Sequence, residues 1–436
     1  TEANAAMRVN INDLLKKAEQ FFDTNVNVLK MAELGVGKSY LDKYKMQIYL
    51  IWQDEWLATG SGYGNTIGAL WVNPSTCQPV GSTIAHEIGH SFQYQVYCDK
   101  IAQGGTDDLK SGFRYGFIKS SNPGSSGGNA YWEQCAQWQS FQDYPAQILG
   151  GYDINVWLAN YHRHFHHEWM RYASYYFQYY LTAKHGIEAY GEIWRQAQYQ
   201  EDAIMVYNRV FNGGDWEQTR KDLYDYAAHV ATFDIPGVRE NGAENHQNRY
   251  KTSLIETSDG WYQVAYASCP GSTGFNVIRL DVPESGKVSV NFKGLASDSS
   301  LAEGDGGQYM ESEKVVGTRN KYNGTVTDDN LGWRYGFVSV DAAGNRHYGE
   351  MFSDKEGVAE YQVPANTQNL YFIVQGCPKT YKLHGWDDKE LNDEQFPYMV
   401  KFDGTDLFGN VKIDPDADPK DIDFVYDVTY KASLGA

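Results

Sequence analysis

Near residue 240 the hydrophobic pattern of this 436-residue chain changes period, and that change limits the possible folds more than any other feature. Before it, apolar residues recur at helical spacing. After it, they alternate in short runs separated by Gly, Pro, Asn and Asp, the pattern of strands and turns. Ile11 to Met31 sets Leu14, Leu15, Ala18, Phe21 and Phe22 on one side of a helix, with Asn12 as the candidate cap. Helical spacing continues over Ser82–Tyr97, Asn129–Gln142, Tyr161–His185, Ile187–Ala197 and Asp215–His229. Lys45–Trp52 reads as a buried strand and Ile67–Asn73 as a second one stopped by Pro74. The Gly60–Asn65 stretch and the Gly- and Ser-rich Gly104–Gly128 stretch read as loops. In the second half, strands are expected over Gly260–Ser268, Phe275–Val282, Lys287–Phe292, Tyr335–Val340, Val358–Val363, Leu370–Val374, Tyr398–Phe402 and Phe424–Tyr430, with a hairpin turn at Asp341–Asn345. The expected fold class is α+β. A mainly helical lobe with a small sheet, residues 1–238, precedes an all-β sandwich or jelly roll, residues 239–436, and the junction falls between Phe233 and Asn248.

Composition narrows the function. Lys plus Arg is 37 against 56 Asp plus Glu, a net charge of −19. That balance argues against nucleic acid as a partner, because phosphate binding needs a basic face. No apolar run approaches the roughly 18–20 residues of a membrane-spanning helix. Aromatic residues are abundant, with 34 Tyr, 19 Phe and 12 Trp. They suit both strand packing and half-wet grooves that hold sugars or peptides. Five cysteines are present without a CxxC pair, and Cys77 with Cys98 or Cys269 with Cys377 are possible disulfides. Two acidic runs, Asp387 to Glu394 and Asp414 to Asp423, read as solvated loops; Ca2+ coordination is a weaker reading, because neither run has the spacing of an EF-hand loop. The chain opens Thr1-Glu2-Ala3 without Met, which fits a removed export signal and a secreted, periplasmic or cell-surface location.

One motif carries chemistry. Within Thr83–Gln93 stands His86-Glu87-Ile88-Gly89-His90. On a helix, positions i and i+4 share a face, so His86 and His90 can grip one Zn2+ from adjacent turns while Glu87 is placed as general base. The alternative is an ordinary helix that happens to carry two histidines and a glutamate. The surrounding Ile84, Ala85, Ile88 and Phe92 make the helix buried, where unpaired charge is expensive, and a Gly inside a helix asks for a packing reason. A third ligand must come from elsewhere, since Gln93 and Val96 stand where an extended HExxHxxGxxH motif needs Gly and His. Glu133, a carboxylate in the aromatic stretch Tyr131–Trp138, is the best candidate, with Glu168 a weaker one. Gln137, four residues on, is placed to orient a ligand from behind. The segment Tyr161–Tyr172 holds His162, His164, His166, His167, Arg171 and Tyr172. His162 and His166, four apart, form a second possible metal pair. His166, His167 or Tyr172 is expected to face the metal and stabilise an oxyanion, and the pattern does not choose between them.

His86-Glu87-x-x-His90 followed by a helical Glu133 resembles the gluzincin class of zinc metallopeptidases, and the run His-Glu-Ile-Gly-His-Ser-Phe-Gln resembles its enhancin-like, mucin-attacking branch. The whole chain, including Trp386 to Asp403, also resembles a poorly characterised family of exported gut-bacterial proteins with the same core. The resemblance implies a zincin-like catalytic lobe, His86, His90 and Glu133 as zinc ligands, and Glu87 as base and proton shuttle. It also implies an edge strand that binds substrate; Gly68, Ala69, Leu70 and Trp71 in the strand before the motif are expected to fill that place. The expected activity is zinc-dependent hydrolysis of peptide bonds in extracellular protein or glycoprotein, with the β-half docking substrate or glycan. The competing expectations are a non-catalytic surface protein that binds glycan or protein, and a zinc hydrolase acting on a non-peptide bond.

Overall fold

The computed structural model describes residues 4–105, 112–113, 128–241, 246–283 and 286–410. Its α1 (Ile11–Asp23) is capped by Asn10 rather than Asn12: the Asn10 side chain accepts from the Asp13 N–H, whereas Asn12 already lies inside the helix. Leu14 and Phe21 are buried on its inner stripe, and Leu15 faces out.

Strands β1 (Gln47–Leu50), β2 (Ala58–Tyr63) and β3 (Ile67–Val72) form a sheet in the order β1-β3-β2, with β3 parallel to β1 and antiparallel to β2. Two expectations change here. β1 is half to fully exposed rather than buried, as befits an outer strand. β3 is the buried central strand, paired on both sides, so Gly68, Ala69, Leu70 and Trp71 present no free edge to a substrate. The edge strands are β1 and β2, and β2 is the one that packs against α2. Its glycines at 60 and 62 hide the strand from a periodicity reading, because they carry no side chain to alternate.

Helix α2 (Ser82–Ala102) packs across β2 and β3, and α3 (Gly128–Asp143) packs on α2. Gly89 has the packing reason its position demanded: a Cβ there would meet Gln139 Oε1 at 3.0 Å and the Ala136 Cα at 3.4 Å, so the bare residue lets the two helices close. Helices α4 (Gly151–Asn160), α5 (Tyr176–His185), α6 (Ala189–Gln196), α7 (Ala203–Phe211) and α8 (Trp216–Val230) complete the lobe. The single helix expected over Tyr161–His185 is broken. Residues 161–175 are turns around a short 3-10 turn at Glu168–Met170, and only then does α5 begin. Side chains and distant backbone take the hydrogen bonds a helix would need. His164 Nδ1 accepts from the His166 N–H, the Phe165 N–H donates to Thr273 Oγ1, and the His162 carbonyl accepts from the Gly271 N–H. The expected 104–128 loop lies mostly outside the described residues.

The second half is a β-sandwich. Its strands are β4 (Leu254–Glu256), β5 (Tyr262–Val264), β6 (Phe275–Leu280), β7 (Lys287–Gly294), β8 (Gln308–Glu311), β9 (Lys314–Thr318), β10 (Trp333–Asp341), β11 (Arg346–Tyr348), β12 (Glu356–Gln362), β13 (Thr367–Gly376) and β14 (Tyr398–Asp403). One sheet runs β11-β10-β13-β6, the other β12-β7-β14-β5-β4, and β8 with β9 make a separate hairpin. The hairpin turn expected at Asp341–Asn345 is present: Asp341 Oδ1 accepts from the Ala343 and Asn345 N–H groups and joins β10 to β11. The strand expected at Phe424–Tyr430 lies outside the described residues.

The two sheets bury differently, and the sequence pattern explains why. Lys287-Val-Ser-Val-Asn-Phe292 of β7 alternates, with Val288, Val290 and Phe292 inward and the residues between them facing out. β10 and most of β13 are buried on both faces. Phe337, Phe372, Ile278 and Val374 point into the sandwich, whereas Val338, Val277, Tyr371 and Ile373 join the core of the helical lobe. The molecule is therefore three layers, helices on sheet on sheet, and the change of period near residue 240 is not a break in the core. All five cysteines are buried free thiols, so neither expected disulfide forms: Cys77 precedes α2 while Cys98 lies near its far end, and Cys269 packs within the sandwich while Cys377 follows β13.

Candidate metal centre

Helix α2 brings His86, Glu87 and His90 to its buried face, and α3 lays Glu133 opposite. Glu133 Oε2 stands 3.2 Å from His86 Nε2 and 3.0 Å from His90 Nε2. One ligating atom from each of the three residues lies within 4.8 Å of the others. This grouping is the one expected from the i, i+4 spacing and the isolated carboxylate.

The imidazoles are oriented from behind. His86 Nδ1 lies 2.8 Å from Gln137 Oε1, and the Gln137 amide in turn donates to Asp153 Oδ2 at 3.0 Å. His90 Nδ1 lies 2.8 Å from Gln93 Oε1, whose amide donates to the Trp132 carbonyl and Gln139 Oε1, each at 3.0 Å. Because both glutamine amides spend their N–H groups elsewhere, their oxygens accept from the histidines. Each Nδ1 then carries a proton, which leaves each Nε2, hydrogen-bonded to Glu133 here, as the nitrogen that can give its lone pair to an ion. Two neutral imidazole nitrogens and a carboxylate are a donor set that suits Zn2+. Gln137 thus holds the position assigned to it. Gln93 and Asp153 were missed, although the i+3 spacing of Gln93 from His90 on a helix was a usable signal.

Electrostatics agree with that geometry. Burial alone would lower the His90 imidazole, but the Glu133 carboxylate beside it raises it to about 9. Burial likewise works to raise the Glu133 carboxyl, and the two imidazoles overcome it and hold Glu133 well below the usual carboxylate range. A positive charge is therefore strongly favoured at the point these three side chains share.

Glu87 lies on the wall of the cleft that opens over this point. The cleft has a volume of about 430 Å³ and is lined by Trp56, Ala58, Thr59 and Gly60 from the β2 side, Ser82 and Thr83 from the start of α2, and Gln137 and Tyr172. The Gly60 N–H donates to Glu87 Oε2. That amide points away from β3, so in an antiparallel pair the outward groups belong to Ala58, Gly60 and Gly62. Gly60 has to be glycine, since a Cβ would sit 2.0 Å from the Glu87 carbonyl oxygen and 2.6 Å from His90 Cβ.

Of the three residues proposed for the oxyanion, the structure brings only Tyr172 to this cleft. Its ring centroid is 6.0 Å from that of His86. Burial first, then the Glu133 charge, pushes its phenol up to about 12, so it is a hydrogen-bond donor at neutral pH. His166 and His167 do not line the cleft. His166 is buried edge-on against Tyr131 with Nδ1 3.5 Å from Asp202, and His167 Nε2 lies 3.1 Å from Asp393 Oδ2. The reason is the broken helix, which turns both rings toward other partners. For the same reason His162 and His166 form no metal pair, and Glu168 pairs with His384 rather than reaching His86 and His90.

The acidic run at 387–394 is not a solvated skirt. Arg163 reaches from the helical lobe to Glu390 at 2.7 Å and Asp393 at 3.4 Å, and Arg163 and Glu390 are almost wholly buried. Among the described residues, each group of three or more His, Cys, Asp or Glu side chains that could hold an ion includes histidine. The run at 414–423 lies outside the described residues.

Fold and site together define an α+β protein with a buried His-His-Glu centre under an edge strand. The chain belongs to a family of unknown function, DUF6055, whose model matches residues 1–409. No curated protein matches it. A solved structure of the C-terminal family 22 carbohydrate binding module of Clostridium thermocellum Xyn10B is similar over 37% of this chain and 84% of its own, at 12% identity and a TM-score of 0.19, a likeness too slight to carry an argument. Among the described residues, no helix is long and apolar enough to cross a membrane.

Proposed function

We propose that this protein is a zinc-dependent hydrolase of the metallopeptidase type, acting on extended segments of protein or glycoprotein. The observation that carries this reading is the convergence of His86, His90 and Glu133, with both histidine tautomers set by glutamines, beside a base and a free strand edge. Zn2+ held by these three residues would supply Lewis acidity, polarising a carbonyl and acidifying water.

The chain's own groups do the rest. An extended substrate adds to the β2 edge, where the outward backbone groups of Ala58 and Gly62 can pair with it. Glu87 Oε2 is tied to the Gly60 N–H, which leaves Oε1 to take a proton from the attacking water and return it to the leaving amine. Tyr172 donates its phenolic O–H to the oxygen that gains charge at the attacked carbonyl.

The direct test is Glu87→Gln. Zinc content, measured by elemental analysis, is expected to stay at the wild-type level, while hydrolysis of a mixed peptide library falls by a factor on the order of 10² to 10⁴. Full activity in that variant would refute the role given to Glu87.

A further inference from the structure

A second group of ligating side chains sits where the helical lobe meets the sandwich, away from the residues that line the cleft. Glu168 Oε2 stands 2.8 Å from His384 Nε2 and 3.8 Å from His167 Nδ1, and the three atoms lie within 4.8 Å of one another. His167 and Glu168 are each 1% exposed. Asp393 stands behind both rings, 3.1 Å from His167 Nε2 and 3.9 Å from His384 Nδ1. With its Nε2 donating to Asp393, His167 keeps its lone pair on Nδ1, which accepts from the Trp169 N–H and stands 3.8 Å from Glu168 Oε2. Glu168 Oε1 is held by the Asp388 N–H at 2.8 Å, and His384 stacks on both His164 and His167. The plan repeats that of the first centre: one glutamate oxygen, two imidazole nitrogens, and an oxygen acceptor orienting a ring from behind.

Charge points the same way. Glu390 and Asp393 pair with the Arg163 guanidinium, and Glu168 and Asp393 both face His384, so carboxylates crowd the place where His167 and His384 meet. We propose that His167, Glu168 and His384 bind a second first-row divalent ion, zinc by their donor set, with the fourth position left to water. His167 and Glu168 come from the turns after α4, and His384 from the loop after β13, so the ion clamps the helical lobe to the sandwich. Binding displaces one backbone contact, the Trp169 N–H to His167 Nδ1 at 3.2 Å.

The test counts zinc where the first centre is gone. The His86→Ala, His90→Ala double variant, saturated with zinc and freed of excess, is expected to retain one zinc per chain, and adding His384→Gln to remove it. Anomalous diffraction at the zinc edge from wild-type crystals soaked in zinc is expected to give a peak between Glu168 and His384. Chelation is expected to lower the Tm of the double variant. No zinc in the double variant, or no peak at that position, overturns the proposal whether or not the His384→Gln protein folds. Because the count is made without His86 and His90, its outcome is separable from that of the peptidase reading.

Discussion

At the scale of single residues, the informative groups are those whose protons are assigned by their neighbours. Gln137 and Gln93 fix the histidine tautomers because their own amides are committed to Asp153, Trp132 and Gln139. Tyr172 stands apart from His166 and His167 in lining the cleft, and that difference is testable. Tyr172→Phe is expected to lower kcat about 10²- to 10³-fold with KM and zinc content near wild type, as loss of an oxyanion donor does. Steady-state kinetics on one cleaved peptide would check it, and an unchanged kcat would remove Tyr172 from the chemistry. The grouping of His86, His90 and Glu133 was legible from sequence because helical spacing and an isolated carboxylate are local signals. The orienting Asp153 was not, since its tie to Gln137 depends on how α4 packs against α3.

At the scale of elements, the helices that build the centre and most strands of the sandwich could be read from periodicity. The failures share a physical cause. β2 was hidden because its glycines serve the close approach of α2 rather than a pattern of alternating side chains. The 161–175 segment looked helical because its Tyr and His residues fall at helical intervals, but their side chains capture backbone groups and bury against the sandwich. Gly60→Ala tests the first point. Its methyl group must lift β2 from α2, and a destabilisation of about 1–3 kcal/mol is expected in urea unfolding, together with a raised KM for peptide. A variant as stable as wild type would show that β2 does not lie so close.

At the scale of the whole molecule, the lobes are joined by more than apolar contact. Arg163 carries its charge into the interface and is matched there by Glu390 and Asp393. Arg163→Ala leaves Glu390 buried without a counter-charge, while Asp393 keeps its histidine partners. It is expected to cost about 3–5 kcal/mol, whereas pairing Arg163→Met with Glu390→Leu is expected to recover much of it. Chemical denaturation of the two proteins decides between them; equal stability would mean that the ion pairs add nothing at this interface.

The sheet formed by β11, β10, β13 and β6 gives no face to water along β10 and most of β13. It belongs to two cores at once, which bears on how such a chain can be dissected or recombined. A cut at residue 238 would not release a free-standing helical lobe and a free-standing sandwich. It would strip the helices from Val277, Val338, Tyr371 and Ile373 and leave both fragments with a sticky apolar surface. The sandwich is the floor on which the helical lobe stands. A foreign β-domain grafted in its place would have to reproduce that floor side chain by side chain before the helices that bring His86, His90 and Glu133 together could pack.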